Sequence, residues 1–411
     1  GPGAVFPPRS PDEKTRFSTI YNTIQAHYPF DEYMVCLPGF QEDAIYHRQD
    51  EITESDDIIS KLVAVPKDRR GPRLICVHPS ESIWIQQGQR GVLEHAISTS
   101  PLTMGRINFT DQTVNGQLAL ESSFSREYCT LDLSEASDRL SCMLVSHLLG
   151  DYAYNILSCS RASHVRLLNG SVHKLRKWAP MGNALTFPVQ SLIFWALVHA
   201  AIYSTYGKHC SDIYVFGDDI IFPTAYYDCV ISTLVMSGLK PNINKTFRYG
   251  SFRESCGVDA FRGFNVTPLR MRKGDIMSYS NVVSNLELAK NLRLHGFETT
   301  ASYIYASVRY RLGYLPLCNN QNASGLYEYV AKDLGWLFMN EPRLRWRSTT
   351  HNWSVKALRV SSGLKTPAKD DWYHLLDSII SITRGVGRGL EYPIPFSERL
   401  KNGWLDCIYN P

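Results

Sequence analysis

The stretch Ile213-Tyr214-Val215-Phe216-Gly217-Asp218-Asp219-Ile220-Ile221-Phe222 sets two apolar, strand-forming runs on either side of a Gly-Asp-Asp corner. That pattern predicts a tight β-hairpin with two adjacent carboxylates at its tip. Like charges held side by side between apolar strands repel one another, and a bound cation is the usual relief. Gly and Asp are also ordinary turn residues, so the segment alone is read equally well as an acidic surface turn. The rest of the chain has to decide between a metal device and a solvated corner.

At 411 residues the chain can bury a large core and is expected to divide into two or three subdomains, at roughly 150 residues each. Hydrophobic residues make up 44% and charged residues 20%, with no low-complexity tract, which excludes a disordered or fibrous protein. The net charge of +4 permits a polyanionic partner without demanding one. Ten cysteines are dispersed, with no Cys-x-x-Cys pair and no zinc-type spacing, a pattern that predicts free thiols in a reducing, intracellular setting. The chain opens on Gly1 without an initiator Met or a leader, so a processed, tagged or truncated product is expected. Ala184 to Tyr203 is nearly all apolar over a length that could cross a bilayer. Pro188, Gln190, Ser191 and His199 interrupt it and no basic cluster flanks it, so the expectation is a core helix and no membrane.

Taken in order, the first 60 residues carry a short helical pattern around Lys14 to His27 and an acidic loop, Glu51 to Asp57, with no evident chemistry. Lys61 to Val77 reads as two strands flanking a basic loop, Lys67, Arg69, Arg70 and Arg73, with Gly71-Pro72 as the turn signal. Such a loop suits a phosphate and is equally a solvated basic hairpin. Trp84 to His95 predicts a helix, and Asp111 to Asn115 a polar turn into another. Asp132 interrupts the otherwise apolar strand Tyr128 to Leu133, where a carboxylate is costly to bury without a partner. Ser134 to Arg139 has the polar make-up of a helix start ahead of the periodic Leu140 to Leu149, with Asp138 either a site residue or a cap. Asn169-Gly170, between strands carrying Arg166, Lys174, Arg176 and Lys177, predicts a hairpin with a type I′ turn. Beyond 266 the pattern is mainly helical, clearest over Asn285 to Leu294 and Thr300 to Leu312, with a further helix at Trp372 to Ile382. Arg343, Arg345 and Arg347 alternate with Leu344 and Trp346, as a strand stacking on single-stranded nucleic acid would, or as a plain edge strand would. Gly385, Gly387 and Gly389 resemble a flexible tail, since no strand precedes them as a phosphate loop requires.

Asp132 and the Asp218-Asp219 pair can meet if their strands are neighbours in one antiparallel sheet. Three converging carboxylates can hold two divalent cations about 3.5–4 Å apart, an arrangement suited to in-line phosphoryl displacement. Hard oxygen ligands select magnesium or manganese over zinc or copper.

Asp-Leu-Ser-Glu-Ala-Ser-Asp-Arg at 132 to 139, Met-Gly-Asn-Ala-Leu-Thr-Phe with the later Gln-Ser-Leu-Ile-Phe at 181 to 194, and Phe-Gly-Asp-Asp at 216 to 219 resemble motifs A, B and C of viral RNA-dependent RNA polymerases. More narrowly, the likeness is to the replicase subunits of small positive-strand RNA bacteriophages. Further matching stretches are 66 to 73, Asp-Gln-Thr-Val-Asn at 111 to 115, Asn-Lys-Thr-Phe at 244 to 247 and Phe-Arg-Glu-Ser-Cys-Gly at 252 to 257. The resemblance runs in order from about 60 to 270 and implies an α+β right-hand polymerase. Its parts would be an N-terminal segment and fingers over 1–125, palm over 126–150, a fingers hairpin insertion over 151–182, palm again over 183–265, and a helical thumb and C-terminal region over 266–411. The implied activity is template-directed RNA synthesis from an RNA template. A reverse transcriptase, or an idle RNA-binding or assembly subunit, is the alternative.

Carried over residue by residue, the resemblance makes Asp132 and Asp218 the principal magnesium ligands, with manganese as substitute, and Asp219 an auxiliary one. Asp138 would face the ribose 2′-hydroxyl, oriented by Thr186 and Gln190. Gly182 would give motif B a flexible entry, Lys67 and Arg73 would hold the triphosphate, and Lys245 would protonate the leaving pyrophosphate. Phe252 to Gly257 would grip the primer end. The chain departs from the wider viral pattern at Met181, where Ser is common, at Phe216, where Tyr is common and whose ring is expected to pack underneath, and at Gln190, where Asn is common. Gly1 to Ala4 resembles an internal segment of phage replicases. The implied partners are RNA template, nascent RNA, ribonucleoside triphosphates and host translation factors, in the bacterial cytoplasm.

Overall fold

A computed structural model of the chain describes residues 4–9, 14, 17–34, 52–68, 71–178, 180–271, 279–312, 315, 317–318, 326–327, 344–348, 352–364 and 396–406. The architecture is α+β, in two compact units, Gly1–Thr267 and Pro268–Pro411. The first opens with β1 (Thr19–Tyr21), α1 (Asn22–Gln25), α2 (Phe30–Tyr33), β2 (Thr53–Ser55), β3 (Ile59–Asp68), β4 (Gly71–Val77), α3 (Ser80–Thr99) and α4 (Thr113–Ser125). It continues through β5 (Tyr128–Leu131), α5 (Ala136–Arg139), α6 (Cys142–Ser158), β6 (His164–Arg166), β7 (Val172–Lys174) and α7 (Thr186–Tyr206). Then come β8 (Tyr214–Phe216), β9 (Asp219–Pro223), α8 (Tyr227–Met236), β10 (Phe252–Ser255), β11 (Val258–Phe261) and β12 (Phe264–Asn265).

Three sheets matter for the site. The central one is antiparallel, in the order β5-β9-β8, and bridges at Thr130 to Phe247 and at Val215 to Ile107 extend it on both sides. Its apolar residues, Cys129, Leu131, Val215, Ile220 and Phe222, are buried against α7 and α8. Residues of α7 from Thr186 to Ile202 are buried in the same core, as expected of the apolar stretch. By length and composition α7 would also pass for a membrane span, but two thirds of its most apolar window lies inside the protein.

The second sheet, in the order β4-β3-β6-β7, joins the two basic hairpins, β3 running parallel to β6. Two details of turn chemistry differ from expectation. Asp68 pairs with Gly71, so Gly71 and Pro72 belong to β4 and not to the turn, and residues 69 and 70 lie outside the described residues. Pro66 has no N–H to give the ladder, and the register slips by one residue between Val65 and Asp68. At Asn169-Gly170, the Leu167 amide donates to the Ser171 carbonyl, which leaves three loop residues rather than two. Gly170 has φ +87° and Asn169 does not share its sign, so this is a three-residue loop with a left-handed glycine and not type I′. The third sheet, β10-β11-β12, is a meander beside α4.

The helix expected from Ser134 onward breaks at Leu140. Ser141 caps the following helix α6, its Oγ accepting from the Leu144 amide at 3.1 Å, so capping falls to Ser141 and not to Asp138. Gly150, φ +74°, kinks α6 midway. Seven cysteines among the described residues are free.

In the second unit α9 (Tyr279–Leu294) and α10 (Glu298–Leu312) pack through Val282, Leu286, Ala289, Ala301, Ile304, Tyr305 and Val308. The mainly helical expectation holds to Leu312, and among the described residues beyond it the regular structure is strand. β13 (Leu317–Cys318), β14 (Leu326–Tyr327), β15 (Leu344–Arg347), β16 (Asn352–Leu364) and β17 (Phe396–Asp406) follow, the last three as one antiparallel sheet with β15 at its edge. The physical reason is visible in β16, where the aromatic Trp353 and the β-branched Val355 and Val360 favour a pleated surface over a helix. Arg343, the segment Trp372 to Ile382 and Gly385 to Gly389 lie outside the described residues.

Candidate active site

The hairpin β8–β9 pairs Phe216 with Asp219, leaving Gly217 and Asp218 as a two-residue turn. Gly217 has φ +65° and Asp218 does not, the sign pattern of type II′, which favours Gly at the first position. A Cβ on Gly217 would also lie 2.5 Å from the Phe187 ring, so α7 presses directly on the turn. Phe187 packs edge-on against Phe216, centroids 5.1 Å apart, as expected of that ring. Ser191, one turn further along α7, accepts a hydrogen bond from the Gly217 amide at 3.2 Å. Asp218 is thereby presented, exposed, at the tip.

Asp132 arrives from the neighbouring strand. Leu131 pairs with Ile220, so the next residue, Asp132, lies level with Asp219 at the same end of the sheet. Its Oδ2 accepts from Asn242 Nδ2 at 3.1 Å and lies 3.9 Å from Lys245 Nζ, which also bonds Glu254 Oε1 at 2.8 Å. Glu254, then Asp132 and Asp219, hold the Lys245 ammonium above its ordinary pKa despite partial burial. Asp219 turns toward the β10–β11 corner, with Ser255 Oγ 3.4 Å from Oδ1 and Cys256 Sγ 3.7 Å from Oδ2. Among the described residues no three His, Cys, Asp or Glu side chains converge as a ready-made metal cage. The three carboxylates nevertheless feel one another. Burial and then the Asp218 charge raise both Asp132 and Asp219, the latter to about 6.

This has a measurable consequence. The folded pKa of Asp219 lies above its ordinary 3.8, so the stability that this group contributes is complete below that value and is lost as pH rises through about 6. We expect the metal-free protein to lose thermal stability across that window, and Asp219→Asn to flatten that part of the profile, read as Tm by circular dichroism at each pH.

The remaining sequence-predicted residues gather less tightly. Gly182 sits where the chain enters α7, at φ +109°, and a Cβ there would lie 2.1 Å from the Cys76 carbonyl oxygen. The Cys76 amide donates to the Met181 carbonyl at 2.7 Å, so β4 is tied to this corner. What the position requires is close backbone approach as much as an unusual angle. Thr186 Oγ1 donates to the Pro180 carbonyl at 3.0 Å, and Gln190, buried, has its Oε1 without a partner. Asp138 is exposed on α5 and hydrogen-bonds neither of them, so the orienting contact read from the sequence is not made. Arg73 is exposed on β4 and Lys67 falls within β3.

Several positions that the sequence did not reveal support this geometry. Asn115 Nδ2 donates to the Asp219 carbonyl at 3.4 Å, from a helix whose first residue, Thr113, donates its amide to Asp111 Oδ1 at 2.9 Å. Gln86 accepts from the Ala184 amide at 3.1 Å and donates to the Ser160 carbonyl at 2.8 Å, tying α3 to the entry of α7. Arg253 is fully buried, its guanidinium donating to the carbonyls of Tyr128, Gly250, Phe252 and Arg248. A lone Arg in a short strand carries little signal, although Asn115, Arg253 and Cys256 all lie in stretches singled out by the resemblance.

Fold and site together define a class, an α+β protein whose central antiparallel sheet brings acidic side chains to one end and which carries a second, cationic sheet. Residues 39–291, more than half of the chain, match the family described as RNA replicase, beta-chain, and the chain belongs to that family. The RNA-directed RNA polymerase beta chain of Enterobacteria phage fr is 38% identical over 212 residues, covering 52% of this chain and 37% of that protein. The corresponding beta subunit of Qbeta virus (strain MX1) is 36% identical over 213 residues, covering 52% and 35%. The alignments thus span little more than a third of the length of these curated relatives. Among solved structures, an RNA-dependent RNA polymerase of a human picobirnavirus aligns over 62% of this chain and 59% of that one, with 13% identity and a TM-score of 0.46.

Proposed function

We propose that the chain catalyses template-directed synthesis of RNA on an RNA template, as the replicating subunit of a positive-strand RNA bacteriophage. The observation that carries this reading is the strand register that sets Asp132 level with Asp219, beside the exposed Asp218 of the turn, with Lys245 adjacent. In this reading 1–125 and 151–182 form fingers, 126–150 and 183–265 the palm, and 266–411 the thumb and C-terminal region.

The residues fit a divalent cation. Their donors are hard carboxylate oxygens, and Asp132 and Asp219 are raised by a neighbouring negative charge that a cation would offset. Magnesium, with manganese as substitute, would be held by Asp132 and Asp218 with Asp219 auxiliary, and when bound would supply charge neutralisation at the attacking and leaving oxygens. The chain's own groups do the rest. A 3′-hydroxyl, of a primer or of an initiating nucleotide, attacks the α-phosphate and gives up its proton to solvent, a new P–O bond forms, and the bond to the bridging oxygen breaks as pyrophosphate leaves. Lys245, kept protonated by Glu254, is placed to give that leaving group a proton. Arg73 and Lys67 supply cations for the triphosphate. Asp138 and the unpartnered Gln190 oxygen offer acceptors to a ribose hydroxyl. RNA template, nascent RNA and ribonucleoside triphosphates are the substrates and partners. Host translation factors enter by family resemblance alone, and the site of action is the bacterial cytoplasm.

A site with acceptors reserved for the 2′-hydroxyl should reject substrates that lack it. On one RNA template, ribonucleotides should be incorporated about 10²-fold or more in preference to deoxynucleotides, measured as kcat/KM by gel assay. A preference for deoxynucleotides would make the protein a reverse transcriptase and sink this reading.

A further inference from the structure

The hairpin β10–β11 pairs Ser255 with Val258, so Cys256 and Gly257 alone form its turn. Both take positive φ, +50° and +78°, which is the type I′ pattern. Asn, Asp or Gly are favoured at the first position of such a turn, because they tolerate the left-handed region or bond locally. Cysteine does neither, so the local residue choice conflicts with the turn it occupies, and such conflicts concentrate where a side chain serves a site.

The side chain has a clear target. The Cys256 thiol is partly buried and lies 3.7 Å from Asp219 Oδ2, while Ser255 Oγ lies 3.4 Å from Oδ1 and the Cys256 amide also reaches the carboxylate. The corner itself is anchored, because the buried Arg253 ties β10 to the Tyr128 carbonyl at 2.7 Å, four residues before Asp132. Asn115 holds the Asp219 carbonyl, its Nδ2 donating at 3.4 Å. A thiol is a weak donor and can orient a carboxylate while leaving lone pairs free for another partner.

Taken together, the geometry points to Cys256 as a positioning residue that fixes the Asp219 carboxylate for divalent-cation binding. This deepens the function proposed above and rests on it. It also gives the β10–β11 corner a role toward the acidic centre.

Cys256→Gly in the full chain separates this role from a structural one, since it removes the thiol and relieves the backbone at once. Tm should be unchanged or raised by a few degrees, while Mn²⁺ affinity, read by electron paramagnetic resonance, should weaken about tenfold, as for loss of a group that orients a metal ligand. Cys256→Ser, which keeps a donor at the same place, should recover most of the affinity. A Cys256→Gly protein that binds Mn²⁺ like the wild type, or that binds it weakly only because its Tm has collapsed, would overturn the inference, as would a wild-type chain that binds no Mn²⁺. Should Mn²⁺ binding respond as expected while the wild type makes no RNA, the positioning role stands and the proposed reaction fails.

Discussion

Asp218→Asn should abolish ribonucleotide incorporation, by about 10³-fold or more, because loss of a metal-binding carboxylate removes several kcal/mol of transition-state stabilisation. The same variant should keep its fold and bind RNA within a few-fold of the wild type. Asp218 is exposed at the second position of a turn whose geometry Gly217, Ser191 and Phe187 fix, so an isosteric amide changes nothing that the fold depends on. Removing its charge even lessens the repulsion felt by Asp132 and Asp219. Incorporation by gel assay, filter binding of a short RNA and Tm together make the check. A variant that still polymerises would show that the metal assignment is wrong.

Gly182→Ala should have the second large effect, and by another route. A methyl group there would lie 2.1 Å from the Cys76 carbonyl oxygen, and the backbone angle of +109° is one that alanine rarely adopts. The clash is with backbone, so no side chain can swing aside. Either β4 detaches from the Met181 carbonyl, or the entry to α7 shifts and carries Ser191 with the Gly217 turn. The first costs about 3 kcal/mol or more of stability, seen in chemical denaturation. The second costs about 10²-fold in kcat, the scale of a 1 Å misplacement. A variant with wild-type stability and wild-type rate would show that the close approach of β4 and α7 does not matter.

The hairpin and its partner strand were legible because their signals are local. Apolar residues flank Gly217-Asp218-Asp219, and Asp132 stands out in an apolar strand, so the acidic centre could be sought before any coordinates were known. Turn types were not legible to the same degree. Asn169-Gly170 sits in a three-residue loop because Leu167 and Ser171 are still paired, a fact about strand length and not about the dipeptide. The alternation of Arg345 and Arg347 with Leu344 and Trp346 did announce the edge strand β15, whereas β16 and β17 were hidden for a different reason, as their pairing runs from Ser354 with Asp406 to Leu364 with Phe396 and no local period announces it. The supports of the site were least visible of all. Ser191 reaches Gly217 across 26 residues, Gln86 reaches Ala184 across 98, and Arg253 reaches Tyr128 across 125. Such contacts depend on which elements become neighbours, and hydrophobic periodicity does not carry that information. The expected contact from Asp138 to Gln190 and Thr186 shows the reverse limit, since a motif can nominate residues without fixing how their side chains meet.

The central claim is that this chain copies RNA at the acidic end of the β5-β9-β8 sheet. The purified 411-residue protein should be given a short RNA template, ribonucleoside triphosphates and Mg²⁺, with and without an annealed RNA primer, and its products sequenced. The account predicts RNA complementary to the template, formed only with a divalent cation and lost with Asp218→Asn. Complementary RNA made equally well by Asp218→Asn, or no template-complementary product from the wild type, would contradict it.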